Sequence, residues 1–198
     1  HAVRQGATGS GTDTVQGRVS SMSWGLGGWV YGSCGLFGGK ITCFGTDGKS
    51  HVVNLGDRDF RIKPDLGILE PATGRTQQGR ARDDWGNWFG CDNSNIAFHH
   101  VLTDHYLRRN PHAAAGAATA NVAGSNQVSP LGTLQLFKLS GPPGRATAAC
   151  GLGVYRDDLL GDGYTGDLFT CEPVNLVVTR RKPFPLNSTF VGRRAADE

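Results

Sequence analysis

The stretch from Arg82 through Asn95 holds the chain's densest set of side chains able to do chemistry: Asp83, Asp84, Trp85, Asn87, Trp88, Asp92, Asn93 and Asn95, with His99 and His100 just beyond. Asp83, Asp84, Asp92, Asn93 and Asn95 all offer oxygen, the donor that a hard Ca²⁺ ion prefers. Their spacing fits no EF-hand loop, and Asx side chains equally satisfy the backbone of their own turns, so both uses stay open. His99 and His100 follow these carboxylates closely, which suits a general base or a metal ligand. A packed histidine making one hydrogen bond is the plainer use. Trp85 and Trp88 flank Asn87 and could stack on a flat ring, or pack one sheet against the next. Arg58-Asp59-Phe60-Arg61-Ile62 alternates, so Arg58 and Phe60 face one way and Asp59 and Arg61 the other. Arginines so placed can clamp the carboxylates of a bound molecule or pair with acids of the fold.

The elements that must position these residues are strands. Gly occurs 30 times in 198 residues, about twice a usual share of roughly 7%. The glycines are spread among aromatic and branched residues, as tight turns between short strands require. Thr46-Asp47-Gly48-Lys49 reads as a hairpin turn. The only helical stretch falls between His99 and Arg109 and stops at Asn110-Pro111. Residues 113–129 are poor in sequence complexity and read as an extended insertion; residues 134–139 read as a strand. Residues 1–18 read as a polar arm or loop, and 19–198 as one segment.

One internal repeat carries an architecture. Gly86-Asn87-Trp88-Phe89-Gly90-Cys91-Asp92 matches Gly166-Asp167-Leu168-Phe169-Thr170-Cys171-Glu172 in character at every position, and Gly27-Gly28-Trp29-Val30-Tyr31-Gly32-Ser33 is a looser copy. The copies start 59 and 80 residues apart. Such a strand suits the blade of a β-propeller carrying insertions. The expected fold is therefore all-β: a partial β-propeller of about three blades with a loop or helical insertion near 100–130. Three blades do not close, so the remaining blades, or other chains, are expected as partners.

Several classes are excluded. A net charge of +3 and 19% charged residues, with no basic stripe, give no nucleic-acid footprint. Arg180-Arg181-Lys182 and Arg193-Arg194 read as solvated turn charges. There is no nucleophile elbow, phosphate loop, HExxH or readable carboxylate pair, so hydrolase and nucleotide chemistry have no support. No apolar run approaches the roughly 18 residues of a membrane span. Five cysteines form no CxxC, CxxCH or zinc spacing. Cys34 and Cys43 suit small buried residues better than a hairpin disulfide. The chain starts at His1 with no signal peptide and reads as a processed chain or a piece of a longer one.

From about residue 19 to 198 the chain resembles the propeller domain of the membrane-bound dehydrogenases of planctomycetes and their relatives. The match runs through Trp24-Gly25-Leu26, Gly28-Trp29-Val30-Tyr31-Gly32, Gly56-Asp57-Arg58-Asp59-Phe60-Arg61 and Thr76-Gln77-Gln78-Gly79. It continues through Asp83 to Asn95, Tyr106-Leu107-Arg108-Arg109-Asn110-Pro111, Thr147-Ala148-Ala149-Cys150-Gly151, Tyr155-Arg156 and Cys171-Glu172-Pro173. These proteins join a propeller like that of quinoprotein glucose/sorbosone dehydrogenases to a c-type haem domain. The resemblance implies a periplasmic or extracytoplasmic oxidoreductase, membrane-associated through other parts, that oxidises a sugar or other alcohol. Electrons would pass to a haem c domain outside this chain. It further implies pyrroloquinoline quinone and Ca²⁺ as cofactors, with His99, His100 and Arg58 catalytic. Arg58, Arg61, Trp85, Trp88 and Asn87 would hold the quinone, and Asp83, Asp84, Asp92, Asn93 and Asn95 the metal. The alternative is a non-catalytic propeller binding carbohydrate or protein.

Overall fold

A computed structural model describes residues 7–10, 18–130 and 142–194. The expected strand at 134–139 and most of the expected N-terminal arm lie outside the described residues. The chain divides into two compact units: one takes the described residues through Gln77 together with Leu102–Ala118, the other Gln78–Val101 and the described residues from Thr119 onward.

The first unit contains two antiparallel sheets. Strands β1 (Ala7–Ser10), β4 (Gly39–Phe44) and β5 (Ser50–Gly56) form one, in the order β1-β4-β5. Strands β2 (Ser20–Trp24), β3 (Val30–Ser33), β6 (Asp59–Lys63) and β7 (Ile68–Ala72) form the other, in chain order. The β4–β5 hairpin turns where the Thr-Asp-Gly-Lys pattern predicts: Asp47 Oδ1 accepts the Lys49 N–H at 3.0 Å, and Gly48 takes φ +77°. The core is Cys34, Ile41, Cys43, Leu55, Phe60 and Leu69. Helix α1 (Asp104–Arg109) belongs to this unit and ends at Asn110, ahead of Pro111.

The second unit has two four-stranded antiparallel sheets. Strands β8 (Ala81–Arg82), β9 (Trp88–Asp92), β10 (Asn95–His100) and β11 (Thr119–Asn121) make one. Strands β12 (Cys150–Val154), β13 (Leu168–Glu172), β14 (Val177–Leu186) and β15 (Thr189–Arg193) make the other. Their apolar faces share a core of Phe89, Cys91, Ile96, Ala97, Val122, Leu152 and Leu168. β11 lies where an insertion was expected: Phe98, His99 and His100 of β10 pair with Asn121, Ala120 and Thr119. Thr119 suits a strand, but Ala120 and Asn121 have little strand preference of their own, so the neighbouring strand imposes most of the pairing.

The repeat maps onto one structural position. Its three copies contain β3, β9 and β13, each the second strand of a four-stranded antiparallel sheet. The propeller inferred from that repeat is corrected: the four sheets are separate, each with two edge strands, and none closes into a propeller. A recurring second strand specifies an antiparallel sheet; closure depends on how sheets meet, which the repeat does not encode. Arg180 and Arg181 are likewise corrected. They lie inside β14, and Arg181 is 2% exposed. All five cysteines are free, with Cys34, Cys43 and Cys91 buried.

Candidate functional site

Two turns of the second unit build a cavity. The first joins β8 to β9. Asp83 Oδ1 accepts the Trp85 N–H at 3.0 Å and the Asn87 N–H at 2.8 Å, while its Oδ2 accepts Asn87 Nδ2 at 2.7 Å. Gly86 supplies φ +93°, a backbone conformation that costs other residues strain. The carboxylate is thereby consumed in its own turn, and the turn projects Trp85 outward, 82% exposed. Asp84 beside it pairs with Arg156.

The second turn leads into β13. Gly166, at φ +85°, donates its N–H to the Tyr155 carbonyl at 2.8 Å, and Tyr155 returns its own N–H to the Asp167 carbonyl at 2.9 Å. Asp167 is 1% exposed. Its Oδ2 accepts Arg180 Nε at 2.6 Å, and the Arg180 guanidinium lies 3.8 Å from the Tyr164 ring centre. Asp167 Oδ1 is buried and has no hydrogen-bond partner among the described residues. A buried carboxylate oxygen left so is costly, and a donor supplied from outside relieves it.

Between the turns lies a cavity of about 450 Å³, lined by Asp83, Asp84, Trp85, Asn87 and Phe89 from the first sheet and by Val154, Arg156, Asp167, Lys182, Pro183, Pro185 and Phe190 from the second. Asn87 and Asp167 occupy the same second position of the repeat, and both line it. The walls are mainly apolar and the mouth carries both signs of charge. Behind the wall, Phe89 and Phe190 sit 5.4 Å apart between ring centres, with His99 5.3 Å from Phe89 and 5.0 Å from Phe190. His99 Nδ1 is 3.1 Å from Thr189 Oγ1. Burial pushes the His99 pKa down, and the Asp83 charge opposes this only in part. Burial thus favours the neutral form of the ring. His100 is driven down further, by burial and then by the Arg80 and His99 charges, and neither ring nitrogen has a partner among the described residues.

Of the residues predicted from sequence, Asp83, Asp84, Trp85 and Asn87 thus line one cavity. Trp88 lies in β9 under the Arg80 guanidinium, 4.9 Å from its ring centre. Asp92 serves the next turn, its Oδ1 accepting the Ser94 and Asn95 N–H groups at 2.9 Å and its two oxygens sharing Asn95 Nδ2. Asn93 gives its carbonyl to the Ala149 N–H at 3.0 Å. Among the described residues no group of three or more His, Cys, Asp or Glu is placed to hold a metal ion. Arg58 and Arg61 belong to the first unit. Arg58 pairs with Asp104 of α1 at 3.2 Å. Arg61 pairs with Glu70 at 2.7 Å and covers Trp29, 4.1 Å from the ring centre. Burial opposes ionisation of Glu70, but its hydrogen bond from Arg61 and the charges of Arg61, His105 and Arg108 hold the carboxyl below its ordinary value. The quinone ligands expected from the resemblance therefore divide between the two units.

Sequence reasoning passed over Asp167, Lys182, Pro183, Pro185 and Phe190 as site residues. Asp167 was within reach, since the repeat aligns it with Asn87. Arg180-Arg181-Lys182, read as turn charges, instead contributes the partner of Asp167 and one cavity-lining cation.

Fold and site together define an all-β protein of two sheet-built units, one of which holds an amphipathic cavity. The chain belongs to a family described as Domain of unknown function (DUF7133), which it matches over residues 2–198. No curated protein and no solved structure matches it. The assignment to the planctomycete dehydrogenases is corrected accordingly, since no relative supports it. The sugar- or alcohol-oxidising quinoprotein and the non-catalytic propeller module both fall with it, because each rested on a propeller that the sheets do not form.

Proposed function

We propose that the chain is a small-molecule-binding protein whose site is the cavity of the second unit. Its ligand joins a flat apolar body to a cationic hydrogen-bond donor, as an amidinium or an aryl-alkylammonium does. The observation that carries this is Asp167: buried to 1% exposure, one oxygen held by Arg180, the other without a partner, in the wall of a cavity lined by aromatic and proline side chains. A cation donating to that carboxylate makes a charge-assisted hydrogen bond in a site of low dielectric. Trp85 and Phe190 offer faces for the apolar body, and aromatic faces also attract cations.

Benzamidine and its neutral isostere benzamide separate the charge from the shape. Isothermal calorimetry on the full chain is expected to give saturable binding of benzamidine, at least about tenfold tighter than benzamide, a gap of about 1.4 kcal/mol. Asp167→Asn, which keeps an acceptor for Arg180, should erase the gap, and Trp85→Ala should weaken both probes. Equal affinity for the two probes, or binding indifferent to both substitutions, would overturn the reading.

A further inference from the structure

We propose that Cys150 and Cys171 form a redox-active cysteine pair that a small-molecule disulfide converts into a cross-strand disulfide. The two residues are direct partners in the antiparallel β12–β13 ladder. Opposed residues in such a ladder have Cα atoms about 4.5–5.5 Å apart, inside the span of about 4.4–6.8 Å that disulfides bridge. A bulge follows Cys150, with Gly151 at φ +66°, and bulged strands bend and twist locally. The Cys171 sulfur lies 4.0 Å from where a Cβ on Gly151 would stand, so it sits over the backbone beside Cys150.

Access favours one order of events. Cys171 is exposed, while Cys150 is half-buried and its thiol is raised by burial, then by the charges of Cys171 and Glu172. Cys171 also borders a shallow groove of about 260 Å³ with Tyr155, Leu160 and Phe169, wide enough for a small reagent. The third neighbouring thiol is a poor competitor: Cys91 is fully buried, donates to the Gln78 carbonyl at 2.8 Å, and is pushed up to about 12 by burial.

The Cys171 thiolate attacks one sulfur of oxidised glutathione, expels one glutathione thiolate and forms a mixed disulfide. The Cys150 sulfur then attacks the Cys171 sulfur and expels the second glutathione thiolate. The pair gives up two electrons and two protons, and the oxidant leaves as two thiols.

The test treats the reduced full chain with oxidised glutathione, blocks remaining thiols and maps the protein by mass spectrometry without reduction. Cleavage after Arg156 separates the two peptides. The expected product is a Cys150–Cys171 link within one chain, with the thermal midpoint raised by roughly 5–10 °C. Cys150→Ser should stop the reaction at a glutathione adduct on Cys171, and Cys171→Ser should leave Cys150 reduced. A lasting adduct on Cys171 of the unaltered chain, a link to Cys91, or dimers joined through Cys171 would each overturn the proposal.

Discussion

In the first unit Arg58, Arg61 and Arg108 meet Asp104 and Glu70, and each cation has an acid of its own unit within 4.0 Å. In the second unit Arg180 takes only one oxygen of Asp167, a cavity-lining residue, and the other is buried with no hydrogen-bond partner among the described residues. A closed network of pairs holds a helix on a sheet. A half-satisfied carboxylate beside apolar walls holds a place for something else. What separates a framework from a site is thus not how many charged residues a region has, but whether their hydrogen-bonding capacity is used up.

Both units anchor their loops in the same way, which permits the harshest test of their independence. Asp59 is fully buried and accepts the Cys34 N–H at 3.1 Å and, from Thr76, both the N–H at 3.0 Å and the hydroxyl at 2.7 Å. Glu172 is fully buried and accepts the Thr147, Ala148 and Val174 N–H groups at 3.0, 2.9 and 3.1 Å. Asp59→Ala and Glu172→Ala should each cost about 3–5 kcal/mol by stranding buried donors. Hydrogen exchange should show protection lost in the first unit alone for Asp59→Ala and in the second alone for Glu172→Ala. Loss across both units from either change would show one cooperative body and dissolve the contrast.

Acid should also tell the units apart. Unfolded, His99 and His100 titrate near their ordinary value of about 6.5; folded, both lie below it. Between the two values the unfolded chain binds more protons, so stability present at neutral pH falls as the pH drops below about 6.5. The slope is up to about 1.4 kcal/mol per pH unit for each ring that stays neutral. Glu70 of the first unit has a depressed folded pKa. Its contribution is complete above the unfolded carboxyl value and is lost only as the pH falls through the folded one. Urea unfolding from about pH 7 to pH 5 should therefore weaken the second unit first. His100→Leu should flatten that slope by as much as one proton; an unchanged slope would remove His100 as its source.

The strands were legible because glycine, aromatic and polar residues recur at three places, and each place became the second strand of a four-stranded sheet. Half of the cavity was legible too, because Asp83, Trp85 and Asn87 form a turn that Gly86 permits. The other half was not. Asp167, Lys182 and Phe190 lie far along the chain and reach the same cavity only through the packing of two sheets. Arg180 and Arg181 look like surface charges as text; Asp167 and Tyr164 make burial of Arg180 tolerable. Closure could not be read at all, since an antiparallel strand has the same pattern in an open sheet as in a closed ring.

A milder probe of the first unit's paired charges is Arg61→Ala. It removes the Glu70 contact and the cover over Trp29, both partly open to solvent, and should cost about 1–2 kcal/mol. Benzamidine affinity should stay as it was. A changed affinity would mean that the paired network of the first unit takes part in binding, and the division between framework and site would fail.

The smallest effect on stability carries the finest information about the cavity. Arg156 and Asp84 are each about half exposed, so Arg156→Ala should change stability by less than about 0.5 kcal/mol. Its effect on binding should be larger than its effect on folding. With the guanidinium gone, Asp83, Asp84 and Asp167 remain in the lining against Lys182 alone, and the local field turns toward negative. Benzamidine should then bind about two- to fivefold tighter at low salt, with the gain shrinking as ionic strength rises, while benzamide is unaffected. Asp84→Asn should move benzamidine the opposite way by a similar factor. If Arg156→Ala weakens benzamidine instead, the cation is not seated against the carboxylates, and Asp167 loses its part as the anchor.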